Sequence, residues 1–160
     1  MISQTASSRM GRKWPGDSRS TLVAPARCEP SGITWSQAGE SDTRIARAVA
    51  GRREPIVLAT KVGVYWNEQG ELRLTGRPAL LRTHLETSLQ RLGRDSVDLL
   101  YFHAPAEDAP LAETAGFFRD LLSEGKARAI GVSNLSVSQL EQFQAECPIA
   151  ACQMRYNWLQ

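Results

Sequence analysis

Polar side chains that could do chemistry stand at the ends of short apolar runs, where the chain must turn. They carry an ammonium, an imidazole, a hydroxyl and two amides, on Lys61, His103, Ser133, Asn134 and Gln153. Groups of these types can hold a small polar ligand by hydrogen bonds and move a proton to or from it. They indicate a catalytic or binding site if the fold brings the ends of the runs together.

Each of these residues also has an ordinary structural interpretation. A lysine after a strand is usually solvated, and a lone histidine is more often structural than catalytic. Ser133 and Asn134 precede Ser136, where the start of a helix would explain them by capping. The functional interpretation depends on a lysine, a histidine and an amide side chain occurring together at corresponding strand ends.

The elements that would position these groups alternate strictly between strands and helices. Short apolar runs predict the strands, and apolar residues at helical spacing predict the helices between them. Gln139 is placed to complete a capping box with Ser136. The strands are predicted at 55–61, 97–103, 127–134 and 149–157, and the helices at 41–51, 77–93, 110–125 and from Ser136 onwards.

Repeated βα units predict a barrel or a doubly wound sheet. A complete (β/α)8 barrel typically needs about 250 residues, so four predicted strands make about half of one. We therefore predict an α/β protein, a partial (β/α)8 TIM barrel of about four parallel βα units over residues 33–160. Function in such folds collects at the carboxyl ends of the strands. Alternation along the strands places Tyr101 below His103 and Gly131 below Ser133.

Residues 1–32 differ from the rest of the chain. They are rich in Ser, Arg and Gly and show neither helical nor strand periodicity, which predicts a disordered or non-homologous tail. The basic composition superficially suggests an organelle transit peptide, but no amphipathic apolar face accompanies the arginines. The stretch TLVAPA at 21–26 could form a short strand that Pro25 ends.

The composition limits the class of protein. An apolar fraction of 42%, a charged fraction of 22% and a formal net charge of +2 favour a soluble globular protein without a nucleic-acid or membrane partner. Cys28, Cys147 and Cys152 form an odd set without metal-type spacing, which predicts reduced thiols in a cytoplasmic protein. The only histidines, His84 and His103, argue against a zinc or iron site and against a metal-dependent barrel hydrolase. We predict no metal site, and a solvated helix position for His84.

The phrases VLATKVG, SLQRLGRDSVDLLYFHAP, EGKARAIGVSN and QMRYN occur in the order and spacing of the aldo-keto reductases, and residues 40–160 resemble that family. The resemblance implies a (β/α)8 barrel that binds NADPH without a Rossmann domain. It implies reversible hydride transfer between the cofactor and an aldehyde or ketone, or the corresponding sugar or alcohol.

The resemblance also implies a role for each residue. Lys61 matches the active-site lysine, which lowers the pKa of a tyrosine acid. His103 matches the histidine that donates a hydrogen bond to the substrate oxygen. Ser133, Asn134 and Gln153 match the residues that hold the nicotinamide carboxamide, which is catalysis by positioning.

The sequence departs from the family in the phrase DTAxxYG, which carries the catalytic Asp and Tyr. Here the stretch SGITWSQAGESDTR passes from GIT almost directly to GES. Tyr65 is the best substitute by position, Tyr101 is predicted to fill the core, and Tyr156 to be structural. The sequence also ends at Gln160, before the last two βα units, which carry the stacking aromatic and the phosphate clamp.

We therefore expect an incomplete copy of a reductase that is weakly active or inactive, with impaired NADPH binding. The alternative is a non-catalytic remnant or binding module that keeps part of the nicotinamide site. Open sheet edges predict self-association. The stretch 63–76 is predicted as a loop that lines the pocket through Tyr65 and Trp66, or whose aromatic residues simply pack.

Overall fold

A computed structural model describes residues 40–51 and 56–155, together with the backbone of 21–23. The strands are β1 (Thr21–Val23), β2 (Ile56–Val62), β3 (Val64–Trp66), β4 (Leu72–Leu74), β5 (Val97–Phe102), β6 (Ala127–Ser133) and β7 (Ala151–Gln153). The helices are α1 (Glu40–Val49), α2 (Pro78–Leu92), α3 (Leu111–Ser123) and α4 (Val137–Glu146). The rest of the predicted tail, Cys28, and the region of the missing DTAxxYG phrase lie outside the described residues.

The main sheet has five strands in the order β1-β2-β5-β6-β7, and every pair in it is parallel. Helices α2, α3 and α4 connect successive strands from β2 to β7, so the predicted βα units and the partial (β/α)8 barrel are confirmed. The short strand predicted at 21–26 is present as β1 on the edge beside β2. Among the described residues, β7 pairs only with β6.

The two faces of the sheet are packed differently. Side chains that point toward the helices build the main core around Leu100, Phe102 and Ile130, against Phe118 of α3 and Phe143 of α4, all with 0% exposure. Removing a buried Phe side chain of this kind costs about 3–5 kcal/mol. The other face carries a small second cluster of Ala59, Leu99 and Ala129. Tyr101 and Ala151 pack against this second cluster, below the polar groups at the strand ends.

The helix ends follow the local sequence. Ser136 accepts a hydrogen bond from the Gln139 backbone N–H, and the Gln139 side chain accepts one from the Ser136 N–H, so the predicted capping box is present. Gly93 ends α2 with a φ of 63°, a conformation that glycine adopts without strain. Helix α1 begins at Glu40, one residue before the predicted start of the helix at 41.

The stretch predicted as a loop at 63–76 contains an antiparallel hairpin of β3 and β4. Asn67 closes its turn, because its Oδ1 accepts hydrogen bonds from the N–H groups of Gln69 and Glu71. Tyr65 lies against His84 of α2, with ring centroids 5.7 Å apart. The prediction of a solvated His84 is therefore wrong: the ring is half-buried, and its Nδ1 is buried without a hydrogen-bond partner.

A hydrogen-bond network ties the end of this hairpin to the segment between β5 and α3. Asp108 accepts bonds from the Thr75 hydroxyl and from the Gly76 N–H, both at 2.7 Å. Thr114 of α3 donates to the Gly76 carbonyl at 2.8 Å. Thr75 and Thr114 are buried, so the network fixes the segment that follows His103 relative to the hairpin that follows Lys61.

Gly76→Ala is expected to destabilise the protein by about 1–3 kcal/mol through overpacking. An added Cβ would lie 2.6 Å from Thr114 Oγ1, in a buried setting. The matched control is Gly116→Ala in α3, where the nearest atom outside the helix backbone is 3.8 Å from the added Cβ. Alanine within a helix is expected to stabilise by about 0.5–1 kcal/mol relative to glycine. Urea unfolding measures both, and equal effects would contradict the crowding at Gly76.

Candidate active site

The parallel register places the predicted site residues at the same end of the sheet, where the strands have their carboxyl ends. Lys61 of β2 pairs with Tyr101 of β5, and Tyr101 pairs with Gly131 of β6. Ser133 and Gln153 pair at the carboxyl ends of β6 and β7. Residues paired across parallel strands share a face of the sheet, so these side chains project into the same region.

The Lys61 ammonium lies at the centre of this group. Its Nζ donates hydrogen bonds to Ser133 Oγ at 3.1 Å and to Gln153 Oε1. The Ser133 hydroxyl lies 3.2 Å from the same Gln153 oxygen. Three strands thus contribute one side chain each to a connected polar cluster, which we call the site cluster and which comprises Lys61, Ser133 and Gln153. Ser133 is buried, whereas Gln153 is exposed, so the site cluster opens to solvent on the β7 side.

His103 follows β5 directly and lies beside the site cluster. Its backbone N–H donates to the Val62 carbonyl at 2.9 Å, which fixes its position next to the end of β2. Burial of the imidazole and the nearby Lys61 charge both lower the pKa of His103. The ring is therefore neutral at physiological pH and carries one N–H donor.

Asn134 links three strand ends through its backbone and side chain. Its Nδ2 donates to the His103 carbonyl at 3.1 Å, and its N–H donates to the Gln153 carbonyl at 3.1 Å. Its φ of 58° lies in the left-handed region, which asparagine tolerates better than most residues. In this structure the side-chain amide of Asn134 thus binds the end of β5, and its backbone N–H binds the end of β7. A contact between the Asn134 side chain and a nicotinamide carboxamide stays a prediction.

The three tyrosines weighed as substitute acids differ in their surroundings. Tyr65, on the hairpin, packs its ring against His84 of α2. Tyr101 is half-buried. Burial is the main cause of its raised pKa, and the electrostatic interaction with Cys152 raises that pKa further. A raised pKa makes the phenol a weaker acid. Tyr156 lies outside the described residues.

Two features of the site had no direct signal in the predicted pattern. One is the use of Asn134 as a link between strand ends, for which the short amide before Ser136 was the only indication. The other is the close approach of the Tyr101 ring to Gly131 of β6, where an added Cβ would lie 2.4 Å from Tyr101 Cε1. A glycine in a strand next to an aromatic residue could have suggested it. The free thiols Cys147 and Cys152 form no disulfide with each other. Within 40–51 and 56–155 there is no group of three or more potential ligands that could hold a metal ion.

The arrangement is suited to a neutral polar ligand with a carbonyl or carboxamide group. Lys61 and His103 supply donors, Ser133 supplies a hydroxyl, and Gln153 supplies an acceptor and a donor. Fixed donors of this kind stabilise negative charge that develops on an oxygen.

No helix in the described part of the chain is both long and apolar enough to cross a bilayer.

Comparison with known proteins identifies related chains. The family model described as the aldo/keto reductase family matches residues 35–160. Aldo-keto reductase YhdN of Bacillus subtilis (strain 168) is 33% identical over 156 residues, which are 92% of this chain and 47% of that protein. Aldo-keto reductase yakc of Schizosaccharomyces pombe is 38% identical over 108 residues, 67% of this chain and 32% of that protein. The chain thus spans less than half the length of these relatives.

Solved structures give the same result. The glycerol dehydrogenase AKR11B4 from Gluconobacter oxydans superposes with a TM-score of 0.70 at 33% identity, over 75% of this chain and 38% of that one. The holo form of aldo-keto reductase AKR11C1 from Bacillus halodurans gives a TM-score of 0.64 at 31% identity, over 72% of this chain and 39% of that one.

The free energy of unfolding is expected to fall as the pH is lowered from about 7.5 to about 5. Both histidines have pKa values below the ordinary 6.5 in the folded protein, so the unfolded chain takes up protons first and is favoured. Urea unfolding at both ends of the range measures the loss. His84→Phe keeps a ring against Tyr65 and removes one titrating group, so its loss is expected to be smaller. An equal loss would show that His84 titrates as an exposed histidine.

Proposed function

The chain belongs to the aldo/keto reductase family, and we propose that it carries part of a site for reversible hydride transfer between NADPH and a small aldehyde or ketone. Lys61 and His103 are the proposed catalytic residues, and Ser133, Asn134 and Gln153 the proposed cofactor-binding residues. The observation that carries the proposal is the site cluster itself, in which Lys61 Nζ meets the side chains of Ser133 and Gln153 at adjacent strand ends.

The site cluster is chemically suited to a nicotinamide. A primary carboxamide presents one carbonyl acceptor and two N–H donors. The Ser133 hydroxyl can donate to the carbonyl, and Gln153 Oε1 can accept from the amide N–H. NADPH would supply the hydride, and these side chains would fix which face of the nicotinamide meets the substrate. Two relatives support this cofactor: the name of the Schizosaccharomyces pombe protein includes NADP(+), and an aldo/keto reductase from Klebsiella pneumoniae was solved with NADP and acetate.

His103 and Lys61 would act on the substrate oxygen. The lowered pKa of His103 keeps the imidazole neutral, so its N–H can donate to a carbonyl oxygen without carrying a charge into the site. The Lys61 ammonium would add positive potential where negative charge develops on that oxygen. The substrate is proposed only as a class, a small carbonyl compound or the corresponding sugar or alcohol.

We propose weak or no reductase activity for this chain alone, with weakened NADPH binding. The support is the sequence, in which no DTAxxYG phrase supplies the family's Asp and Tyr between the predicted start of the domain and Lys61. Loss of a positioned general acid commonly costs about 10²–10⁴ in rate. A non-catalytic binding module is the second candidate, and it is favoured because Ser133, Asn134 and Gln153, the proposed carboxamide-binding residues, are all present. A cytoplasmic location is proposed from the reduced thiols.

NADPH titration separates these functions. Quenching or enhancement of the NADPH fluorescence is expected on addition of the protein, while NADPH oxidation with a reactive aromatic aldehyde is expected to stay at least about 10²-fold below an ordinary reductase. Gln153→Leu is expected to abolish the fluorescence change. Gln90→Leu, at an exposed position on α2, is the matched control and should leave it intact. No fluorescence change with the wild-type chain would refute the nicotinamide site, and oxidation at an ordinary rate would refute the loss of activity.

Self-association is proposed from the sheet edges. In the described part of the chain β7 has a partner strand on one side only, and its edge presents unpaired backbone groups. We expect light scattering behind a sizing column to report dimers or larger species whose proportion rises with protein concentration. A monomer at every concentration tested would count against this proposal.

A further inference from the structure

The Tyr101 ring packs directly against Gly131 of the neighbouring strand β6. A Cβ at position 131 would lie 2.4 Å from Tyr101 Cε1 and 2.5 Å from Cδ1. Real Cβ atoms do not approach other atoms this closely, so the ring occupies the space that any other residue at 131 would fill. Gly131 has no left-handed φ and is buried within β6, so its backbone conformation does not require glycine. The close approach of the ring is what requires it.

The Lys61 ammonium lies over the same ring. Its Nζ is 5.5 Å from the ring centroid, within the range in which the negative face of an aromatic ring attracts a cation. Lys61, Tyr101 and Gly131 stand side by side on β2, β5 and β6, so the ring bridges the two strands that flank its own. From this position Nζ reaches Ser133 and Gln153, which lie one row nearer the carboxyl ends.

We propose that the Tyr101 ring, which packs against Gly131, positions the Lys61 ammonium toward Ser133 and Gln153. Tyr101 is in this sense a positioning residue that acts through Lys61, and its aromatic face is the functional part. A lysine side chain has four rotatable bonds and reaches many places from one backbone position. The ring restricts this choice by attracting the charge from below, while the two polar side chains accept its hydrogen bonds above.

The hydroxyl of Tyr101 has no part in this role. Burial raises the pKa of the phenol, so the ring stays neutral and carries no charge that could itself pair with Lys61. The proposal therefore separates the ring from the hydroxyl: phenylalanine should serve as well as tyrosine, and an aliphatic residue should not. The meaning of this positioning for catalysis rests on the proposed function, but the contact can be measured without cofactor or substrate.

The chain contains an internal reporter for the position of the ammonium. Burial and, in addition, the Lys61 charge lower the pKa of His103, whereas burial alone lowers that of His84. With two histidines in the sequence, NMR titration of the imidazole C–H signals follows both in one sample. His103 reports how near the ammonium lies, and His84 reports whether the fold is intact.

The experiment is a double-mutant cycle on the full chain, with Lys61→Met, Tyr101→Leu and the combination of the two. Lys61→Met is expected to raise the pKa of His103, because it removes a neighbouring positive charge. Tyr101→Leu is expected to raise it by part of that amount, and to add nothing in the Lys61→Met background. Tyr101→Phe is the matched control and should titrate like the wild type. The pKa of His84 should be the same in all these proteins.

Two results would overturn the proposal. One is a His103 pKa in Tyr101→Leu equal to that of the wild type, which would mean that the ring does not hold the ammonium. The other is a rise that persists in the Lys61→Met background, which would assign the effect to the burial of His103. If the His84 pKa shows that Tyr101→Leu is unfolded, Gly131→Ala replaces it in the cycle, since the added methyl displaces the ring and should give the same Lys61-dependent rise. These titrations do not depend on NADPH, so a failed NADPH titration and a failed cycle are distinguishable.

Discussion

The parallel register of β2, β5, β6 and β7 is the constraint on which the site depends. Because Lys61 is level with Tyr101 and Gly131, and Ser133 is level with Gln153, one lysine side chain can span the distance between rows and reach two strands. A shift of one residue in any strand would turn its side chain to the helix-facing core. The buried Phe102 and Ile130 prevent such a shift, because they would have to leave the main core. The packing on one face of the sheet thus fixes the arrangement of the polar side chains on the other.

Much of this fold was predictable from the sequence, because strands and helices here have strong local signals. The apolar runs around Leu58, Leu100 and Ile130 and the Ser136–Gln139 capping box lie where the pattern predicts them. The hairpin of β3 and β4 was missed, although the β-rich triplet Val64–Trp66 is followed by five residues that include Asn67 and Gly70, which is a recognisable hairpin signal. The environment of His84 depends on that hairpin, since Tyr65 covers it, and helical periodicity alone could not indicate this.

The site was predictable as a set of residues but not as a set of contacts. Polar residues at the ends of parallel strands must lie near one another, so the grouping of Lys61 with Ser133 and Gln153 follows from the fold class. The contacts that each of these side chains makes depend on distances between strand ends, and the sequence does not contain those distances. The Asn134 side-chain amide lies 3.1 Å from the His103 carbonyl oxygen, a contact set by the paths that the chain takes after β5 and β6. The region where the family's Asp and Tyr would lie is outside the described residues.

The packing of the Tyr101 ring against Gly131 limits which substitutions these two positions can accept. The ring and an absent Cβ share one volume, so neither position can change freely while the other is kept. A larger residue at 131 is compatible only with a smaller or differently oriented one at 101, and the reverse substitution alone leaves a void beneath Lys61. An aromatic residue at position 101 therefore requires glycine at position 131, so substitutions at these two positions are expected to be coupled although thirty positions separate them along the chain.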